Sequence, residues 1–343
     1  MLKPGQVINR RYQIVEQIAV GGQSIVYLAK DQNMFDRRVV VKEFRLGPGT
    51  PAEYEAALRQ FETSARMLAQ LSHPGIAQVL DYFTVNNVPV LVIEYVPGET
   101  LEQKLKLAPM GLPEEQVLNI AEQLCDVLAY LHSQTPPIIY RDLTPGNVMV
   151  MPDGKVKLID FGIARTFKVG KALDTEPLGT TGYAAPEQHG KGQTGPYSDV
   201  YALGVTLLRA VTGYDPSQTP FMLPRADKVH GDLKYVSPTL TAAIARATEL
   251  EVSKRFQTVA EFREALRSRR RAGVPSGPSF WQRYRALFGT LVLFLLVVAL
   301  LGGSIGLMVA SATGLFSFST STTTSSPLSF GVTLYPPTPP PTP

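Results

Sequence analysis

Two acidic residues and one amide in the middle of the chain have the types and spacing that phosphoryl transfer requires. Asp142 and Asn147 lie in Tyr140-Arg-Asp-Leu-Thr-Pro-Gly-Asn147, and Asp160 follows a short predicted strand in Lys157-Leu-Ile-Asp-Phe-Gly162. Carboxylate and amide oxygens are preferred Mg²⁺ ligands, and one carboxylate is left to orient an attacking hydroxyl. Turn-capping Asp and Asn are common, but the joint spacing with Gly179-Thr-Thr-Gly-Tyr-Ala-Ala-Pro-Glu187 makes that interpretation remote.

Two weaker features lie upstream. Gly21 and Gly22 stand between two strand-like runs, where they could bring backbone amides to phosphate oxygens or simply form a hairpin turn. Val39-Val-Val-Lys42 ends an apolar strand in a lysine that could pair a phosphate or face solvent. These residues alone leave both alternatives open.

Taken in order, the motifs resemble those of eukaryotic-like (Hanks-type) bacterial serine/threonine protein kinases, from about Tyr12 to Arg267. The resemblance implies that Lys42 pairs the α- and β-phosphates of ATP and that Asp142 is the catalytic base or orients the hydroxyl. It further implies that Asn147 and Asp160 bind Mg²⁺, or Mn²⁺ in its place. Protein Ser/Thr hydroxyls are then the expected acceptors.

The same resemblance implies an adenine site and three architectural residues. Leu91–Val96 resembles the hinge, with Ile93 as gatekeeper. The residues expected to contact ATP are Ile18, Gly21, Gly22, Val26, Val40, Lys42, Glu94, Val96 and Met149. Glu187 is expected to pair with Arg255, and Asp199 to anchor the catalytic loop.

Three departures from the family pattern bear on activity. Ala19 and Ser24 replace two loop glycines, and Thr144 stands where these kinases usually have a lysine. Counting back from His73, the helix position that normally supplies glutamate to the lysine is Ser64. Glu62 lies about 200° round the helix axis from that position, so we expect it not to face Lys42.

Arg141 directly precedes the catalytic aspartate, and in this family such an arginine often holds a phosphorylated activation loop. Thr175, between Asp174 and Glu176, is the preferred autophosphorylation candidate. Thr180 is a second candidate, although it fits the substrate-binding wall better.

The elements that must position these residues predict an α+β, bilobal fold. Strand-like alternation marks Tyr12–Ile18, Ile25–Lys30, Arg38–Phe44 and Val88–Tyr95, interrupted by a helical stretch over Pro51–Leu71. From Pro113 the pattern turns helical, most clearly over Glu114–Ser133 and Val200–Thr212. We therefore predict a small β-rich lobe followed by a large helical lobe.

Beyond the catalytic region the composition predicts a membrane anchor. We divide the chain into an N-terminal extension (1–11), the kinase domain (12–267), a basic juxtamembrane linker (268–285), a transmembrane helix (286–310) and a Ser/Thr/Pro-rich extracytoplasmic tail (311–343). Six arginines lie in 267–285, and no charged residue follows Ala286. The 25 uncharged residues of 286–310 exceed the roughly 20 that a helix needs to cross a bilayer core. The arginines before this segment place the kinase domain on the cytoplasmic side.

Two other functional classes stay open at this stage. A pseudokinase that binds ATP and signals by conformation fits Ser64, Thr144 and the depleted glycine loop, and a membrane-tethered adaptor would make the tail the important part. Small residues at Ala299, Gly302, Gly303 and Gly306 could support a homodimer of membrane helices. Anionic lipid explains the arginines without nucleic acid, and the lone Cys125 fits a buried helix position.

Overall fold

A six-stranded antiparallel sheet forms the small lobe of the computed structural model, which describes residues 1–21, 24–45, 49–161, 179–189, 193–231 and 234–271. Its spatial order is β1-β2-β3-β4-β6-β5. The strands are β1 (Val7–Ile8), β2 (Tyr12–Val20), β3 (Ser24–Asp31), β4 (Arg37–Phe44), β5 (Val79–Val85) and β6 (Val88–Glu94). The four predicted strands are confirmed, whereas β1 and β5 were not predicted.

Strand β4 divides its side chains between the two faces of this sheet. Val39 and Val41 are fully buried in a hydrophobic cluster on one face of the sheet, here called the outer side. The N-terminal segment adds Leu2 and Ile8 to this cluster. Because successive side chains of a strand alternate, Val40, Lys42 and Phe44 share the opposite face. That face looks toward the large lobe and its main hydrophobic core, which includes Phe44.

Helix α1 (Pro51–Ala69) packs on this inner side of the sheet. Thr50 and Glu53 form a reciprocal capping box at its start, where Pro51 supplies a preset backbone angle. Its buried residues recur at helical spacing, and they are Ala57, Phe61, Ala65 and Leu68. The helix therefore fixes one apolar stripe against the strands that carry the candidate lysine.

The large lobe is helical and carries a small three-stranded sheet. Its strands are β7 (Glu99–Thr100), β8 (Val148–Val150) and β9 (Val156–Leu158), paired in that order. Its helices are α2 (Leu101–Lys106), α3 (Glu114–His132), α4 (Pro196–Thr212), α5 (Pro238–Ala247) and α6 (Val259–Arg271). Helix α4 is the central element, since 14 of its 17 residues are buried.

The two-lobe α+β architecture predicted from the sequence is confirmed. The proposed linker 268–285 begins inside α6, which continues to Arg271. The proposed membrane span 286–310 and the tail 311–343 lie outside the described residues. Within the described part of the chain, no helix combines the length and apolar character needed to cross a bilayer.

Candidate active site

A cavity of about 410 Å³ opens between the sheet of the small lobe and the first strands of the large lobe. It lies within the size range usual for small-molecule and cofactor sites. The residues that line it are Ile18, Ala19, Val26, Val40, Lys42, Ile93, Glu94, Tyr95, Val96, Gly98, Thr100, Gln103, Gly146, Asn147, Met149, Ile159 and Asp160.

The cavity brings together seven of the nine residues expected to contact ATP. Aliphatic side chains from both lobes form its walls, as a flat aromatic base requires, and Lys42 and Asp160 lie at its polar end. Gly21 is not among the lining residues, and its amide donates instead to the Ser24 carbonyl at 2.8 Å across the turn. Gly22 lies outside the described residues.

Lys42 and Asp160 form an ion pair although 118 residues separate them in sequence. The Lys42 Nζ lies 2.5 Å from Asp160 Oδ2. Lys42 is buried, with 8% of its surface exposed, whereas one third of the Asp160 side chain is open to solvent. The lysine at the end of the apolar strand therefore has a carboxylate partner and does not face solvent.

Asp142 is held by hydrogen bonds on both carboxylate oxygens. Asn147 Nδ2 donates to Oδ2 at 2.9 Å and to the Asp142 backbone carbonyl at 2.8 Å. The Thr180 hydroxyl donates to Oδ1 at 2.8 Å. These bonds fix the direction of a buried carboxylate, because each oxygen accepts from a different segment of the chain.

The loop that carries Asp142 is anchored to α4 through Asp199. This fully buried carboxylate accepts from the backbone amides of Tyr140 (2.9 Å) and Arg141 (2.8 Å) and contacts His132 Nε2 at 2.7 Å. Arg141 has a left-handed backbone conformation, with φ of 66°. This conformation is strained for a residue other than glycine, and the hydrogen bonds to Asp199 stabilise it. Gln188 adds another constraint by donating to the Arg141 carbonyl at 2.8 Å.

Tyr140, directly before Arg141, supplies a buried aromatic ring to this loop. It is 3% exposed, and its ring meets Phe161 edge-on at 5.2 Å. Burial raises the pKa of its phenol, and the nearby charges of Asp160 and Asp142 raise it further. The hydroxyl therefore stays protonated.

The predicted pair of Glu187 and Arg255 forms a buried, bidentate ion pair at 2.8 and 3.0 Å. Ser198 donates to the same Glu187 carboxylate at 2.7 Å. Arg255 also donates to the backbone carbonyls of Glu249 (2.5 Å) and Leu250 (3.0 Å). This cluster ties the segment 179–189, which bears Thr180, to the base of the large lobe.

Sequence reasoning missed the second role of Glu94. Its side chain pairs with Lys157 at 2.6 and 2.8 Å and so joins β6 to β9. The partners lie in different lobes and 63 residues apart, so no local pattern marks them. The one sequence signal is the alternation of β9. Val156 and Leu158 are buried on one face of the strand, so Lys157 points to the other face.

Ser64 and Glu62 both lie in α1, and Glu62 has a partner other than Lys42. Glu62 accepts from Arg66 at 2.7 Å, one turn further along α1, and its side chain is 42% exposed. Ser64 is partly buried. Thr144 is buried two residues after Asp142, and its backbone carbonyl accepts a hydrogen bond from the backbone N–H of Asn147 at 3.0 Å.

The donor atoms fit a divalent cation. Asn147 uses its side-chain nitrogen for both bonds to Asp142, which leaves its Oδ1 as an acceptor, and Asp160 supplies a carboxylate whose side chain is one third exposed. Oxygen ligands of this kind suit Mg²⁺ or Mn²⁺. Within the described residues, no cluster of three or more His, Cys, Asp and Glu side chains is suited to a metal ion, so this site depends on the amide.

The two threonines considered for phosphorylation differ in what the structure says of them. Thr175 lies outside the described residues. Thr180 is partly buried and contacts Asp142, as a residue of the substrate-binding wall would. Arg141, expected to hold a phosphate, has a buried Nε with no hydrogen-bond partner among the described residues.

Comparison with known families gives one match that covers most of the chain. The protein kinase domain family matches residues 12–261. The chain is 34% identical over 274 residues to the serine/threonine-protein kinase PknA of Nostoc sp., covering 76% of this chain and 48% of that protein. It is 32% identical over 286 residues to the serine/threonine-protein kinase PknA of Mycobacterium tuberculosis, covering 80% and 65%.

Solved structures show the same architecture. The PpkA-294 apo form aligns with a TM-score of 0.65 at 26% identity, over 78% of this chain and 99% of that one. The Mycobacterium tuberculosis PknI kinase domain aligns with a TM-score of 0.61 at 25% identity, over 80% and 100%. The chain thus spans whole kinase-domain structures but less than two thirds of these curated relatives.

Proposed function

Since the chain belongs to the protein kinase family, we propose that it is a serine/threonine kinase that transfers the γ-phosphoryl group of ATP to protein Ser/Thr hydroxyls. The observation that supports this most directly is the fixed carboxylate of Asp142. Asn147 and Thr180 hold its two oxygens, and the Lys42–Asp160 pair lies at the polar end of the same nucleotide-sized cavity.

Each side chain then has a defined task. The apolar walls formed by Ile18, Val26, Val40 and Met149 enclose an adenine ring, and the backbone of Glu94 and Val96 provides its hydrogen bonds. Lys42 meets phosphate oxygens as a point charge. Asp142 accepts the proton of the attacking hydroxyl or orients that hydroxyl for in-line attack.

Asn147 and Asp160 would hold the cation that accompanies ATP, Mg²⁺ or Mn²⁺. Such a cation would supply positive charge against the charge that develops on the phosphates during transfer. The ion pair with Lys42 uses Asp160 Oδ2, and one third of the Asp160 side chain is exposed, so Lys42 and the cation would share this carboxylate.

A transfer assay tests this function. We expect the full chain, purified in a mild detergent with Mg-ATP and a generic protein substrate, to phosphorylate Ser and Thr far faster than the Asp142→Asn variant. Asparagine keeps the size of the side chain and removes its basicity. Equal incorporation by the two proteins would refute the proposal. The relatives named above are serine/threonine-protein kinases and do not favour the pseudokinase alternative.

We extend the proposal to regulation and location. Arg141 Nε is buried and has no hydrogen-bond partner among the described residues, so the Arg141 side chain is suited to a phosphate on Thr175 of the same or a second copy, and autophosphorylation at Thr175 would regulate the kinase. Phosphopeptide mapping of active protein that finds Thr175 unmodified would contradict this.

The apolar run 286–310 would hold the kinase domain at the cytoplasmic face of a membrane, where the flanking arginines meet anionic lipid headgroups. Through its small residues it could also pair two copies of the chain.

A further inference from the structure

Two buried side chains meet on the cavity-facing side of β4, where the sequence offers Lys42 no glutamate. Lys42 and Phe44 are two residues apart on one strand and therefore share a face. The Lys42 ammonium lies over the Phe44 ring, 5.3 Å from its centre. Lys42 is 8% exposed and Phe44 is 2% exposed, so water screens this contact little.

Helix α1 packs a second aromatic ring against Phe44. Phe61 is fully buried and meets Phe44 edge-on, with ring centres 4.6 Å apart and planes at 71°. Tyr82 of β5 supports Phe61 in turn, at 5.4 Å. Helix α1 is therefore linked to the Lys42 ammonium through two aromatic rings, Phe61 and Phe44.

We propose that Phe44 is a positioning residue for Lys42 and takes over part of the role of the missing glutamate; this inference rests on the proposed function. The negative face of an aromatic ring attracts a cation, and it does so without a competing negative charge near the phosphates. Ser64 cannot supply a charge, and Glu62 is paired with Arg66.

The contact has a consequence for the nucleotide-bound protein. Asp160 is the ion-pair partner of Lys42 and the proposed metal ligand, so a cation would compete with Lys42 for the charge of this carboxylate. In that state the Phe44 ring would still hold the Lys42 ammonium in the cavity. Phe44 therefore affects binding of the phosphates, not of the adenine.

Two ligands separate this role from simple packing. We expect Phe44→Leu to weaken binding of Mg-ATP by about 2- to 30-fold, the range of a desolvated cation–π contact. Binding of adenosine, which has no phosphates, should be unchanged. Phe44→Tyr should bind both ligands as the wild type does. Phe83→Leu is the matched control, because Phe83 stacks on Tyr12 on the outer side of the sheet.

A double variant tests whether a carboxylate on α1 can take over the role of the Phe44 ring. Ser64 follows Phe61 by three residues and lies on the same side of α1. We therefore expect Ser64→Glu, introduced into Phe44→Leu, to recover most of the lost Mg-ATP affinity. Thermal unfolding of each variant gives its folded fraction, to which the affinities are normalised.

Equal losses for ATP and adenosine, or no loss for either, would overturn the proposal, as would a double variant that recovers nothing. Titration with a fluorescent ATP analogue and competition by adenosine need no phosphoryl transfer. If the wild type transfers no more phosphate than Asp142→Asn, the proposed function fails, while the binding comparison still decides the role of Phe44.

Discussion

Thr180 shows how one hydroxyl can control the direction of the candidate catalytic carboxylate. Its Oγ1 donates to Asp142 Oδ1 at 2.8 Å, and the residue does not line the nucleotide cavity. We expect Thr180→Val to lower kcat by about tenfold to a hundredfold, the worth of one hydrogen bond to a charged group. The KM for ATP should change little.

Matched variants make that result specific. Thr180→Ser keeps the hydroxyl and should keep most of the activity, and Thr181→Val changes an exposed neighbour in the same way. Initial rates at saturating protein substrate measure the effect. Unchanged kcat in Thr180→Val would show that the bond to Asp142 does not serve transfer.

Cys125 provides a pH-dependent test of the large-lobe core. It is fully buried in α3, as its apolar helical surroundings predicted, and burial raises the pKa of its thiol to about 12 from 9.0. Because the folded-state pKa is the higher one, the thiol contributes stability below pH 9 that is lost between about pH 9 and 12.

We therefore expect Cys125→Val, which retains an apolar side chain, to flatten the fall in the free energy of unfolding over that pH range. Urea titrations at several pH values measure it. Iodoacetamide at about pH 8 should modify the unfolded chain and leave the folded protein intact, since thiolate is the reactive form. Alkylation of the folded protein at the rate of the unfolded chain would contradict the buried, protonated thiol.

At the scale of elements, the buried pair of Glu187 and Arg255 joins two segments 68 residues apart. Arg255→Met would leave the Glu187 carboxylate buried, with Ser198 as its one remaining donor among the described residues, and the carbonyls of Glu249 and Leu250 would lose the Arg255 donor. We expect a loss of about 3–5 kcal/mol in the free energy of unfolding, because an uncompensated buried charge is costly.

Replacing both partners separates charge from shape. The double variant Glu187→Gln with Arg255→Met removes the unpaired carboxylate and should recover a large part of that loss, which urea unfolding measures. If the double variant is as unstable as the sum of both single variants, the two side chains are not coupled in the folded protein.

The elements that the sequence predicted are those with a clean period, and the misses have physical reasons. The helix over Pro51–Ala69 has a capping signal and a regular apolar stripe. Strand β5 was not predicted because nearly all of its seven residues are half-buried, without the alternation that marks a strand. Helix α4 begins at Pro196, earlier than predicted, because its first turn buries the polar Ser198 and Asp199.

The candidate site also has a part that the sequence predicted and a part that it did not. Spacing and resemblance indicated Lys42, Asp142, Asn147 and Asp160, since their order along the chain is characteristic. The contacts that tune them were not predictable, because the Thr180 bond to Asp142 and the Phe61 packing on Phe44 join distant segments. Such contacts depend on how the elements pack, and no local pattern encodes them.

At the scale of the whole molecule, the strongest untested expectation is that the chain is anchored in a membrane. The segment 286–310 offers 25 residues without charge, enough to span a hydrocarbon core of about 30 Å as a helix. Six arginines lie just before it, and such residues stay on the cytoplasmic side. The tail 311–343 would then lie on the opposite side.

We expect the full chain to sediment with membranes and to resist extraction by high salt, whereas a chain ending at Arg271 should be released. Replacing Leu295 and Leu296 with arginine should prevent insertion, since each charge at the helix centre costs about 2.5–3.5 kcal/mol. In sealed, cytoplasm-inside vesicles, external protease should remove the tail and spare the kinase domain. Salt extraction of the full chain would show instead that arginines bound to lipid headgroups, and not a spanning helix, hold the protein at the surface.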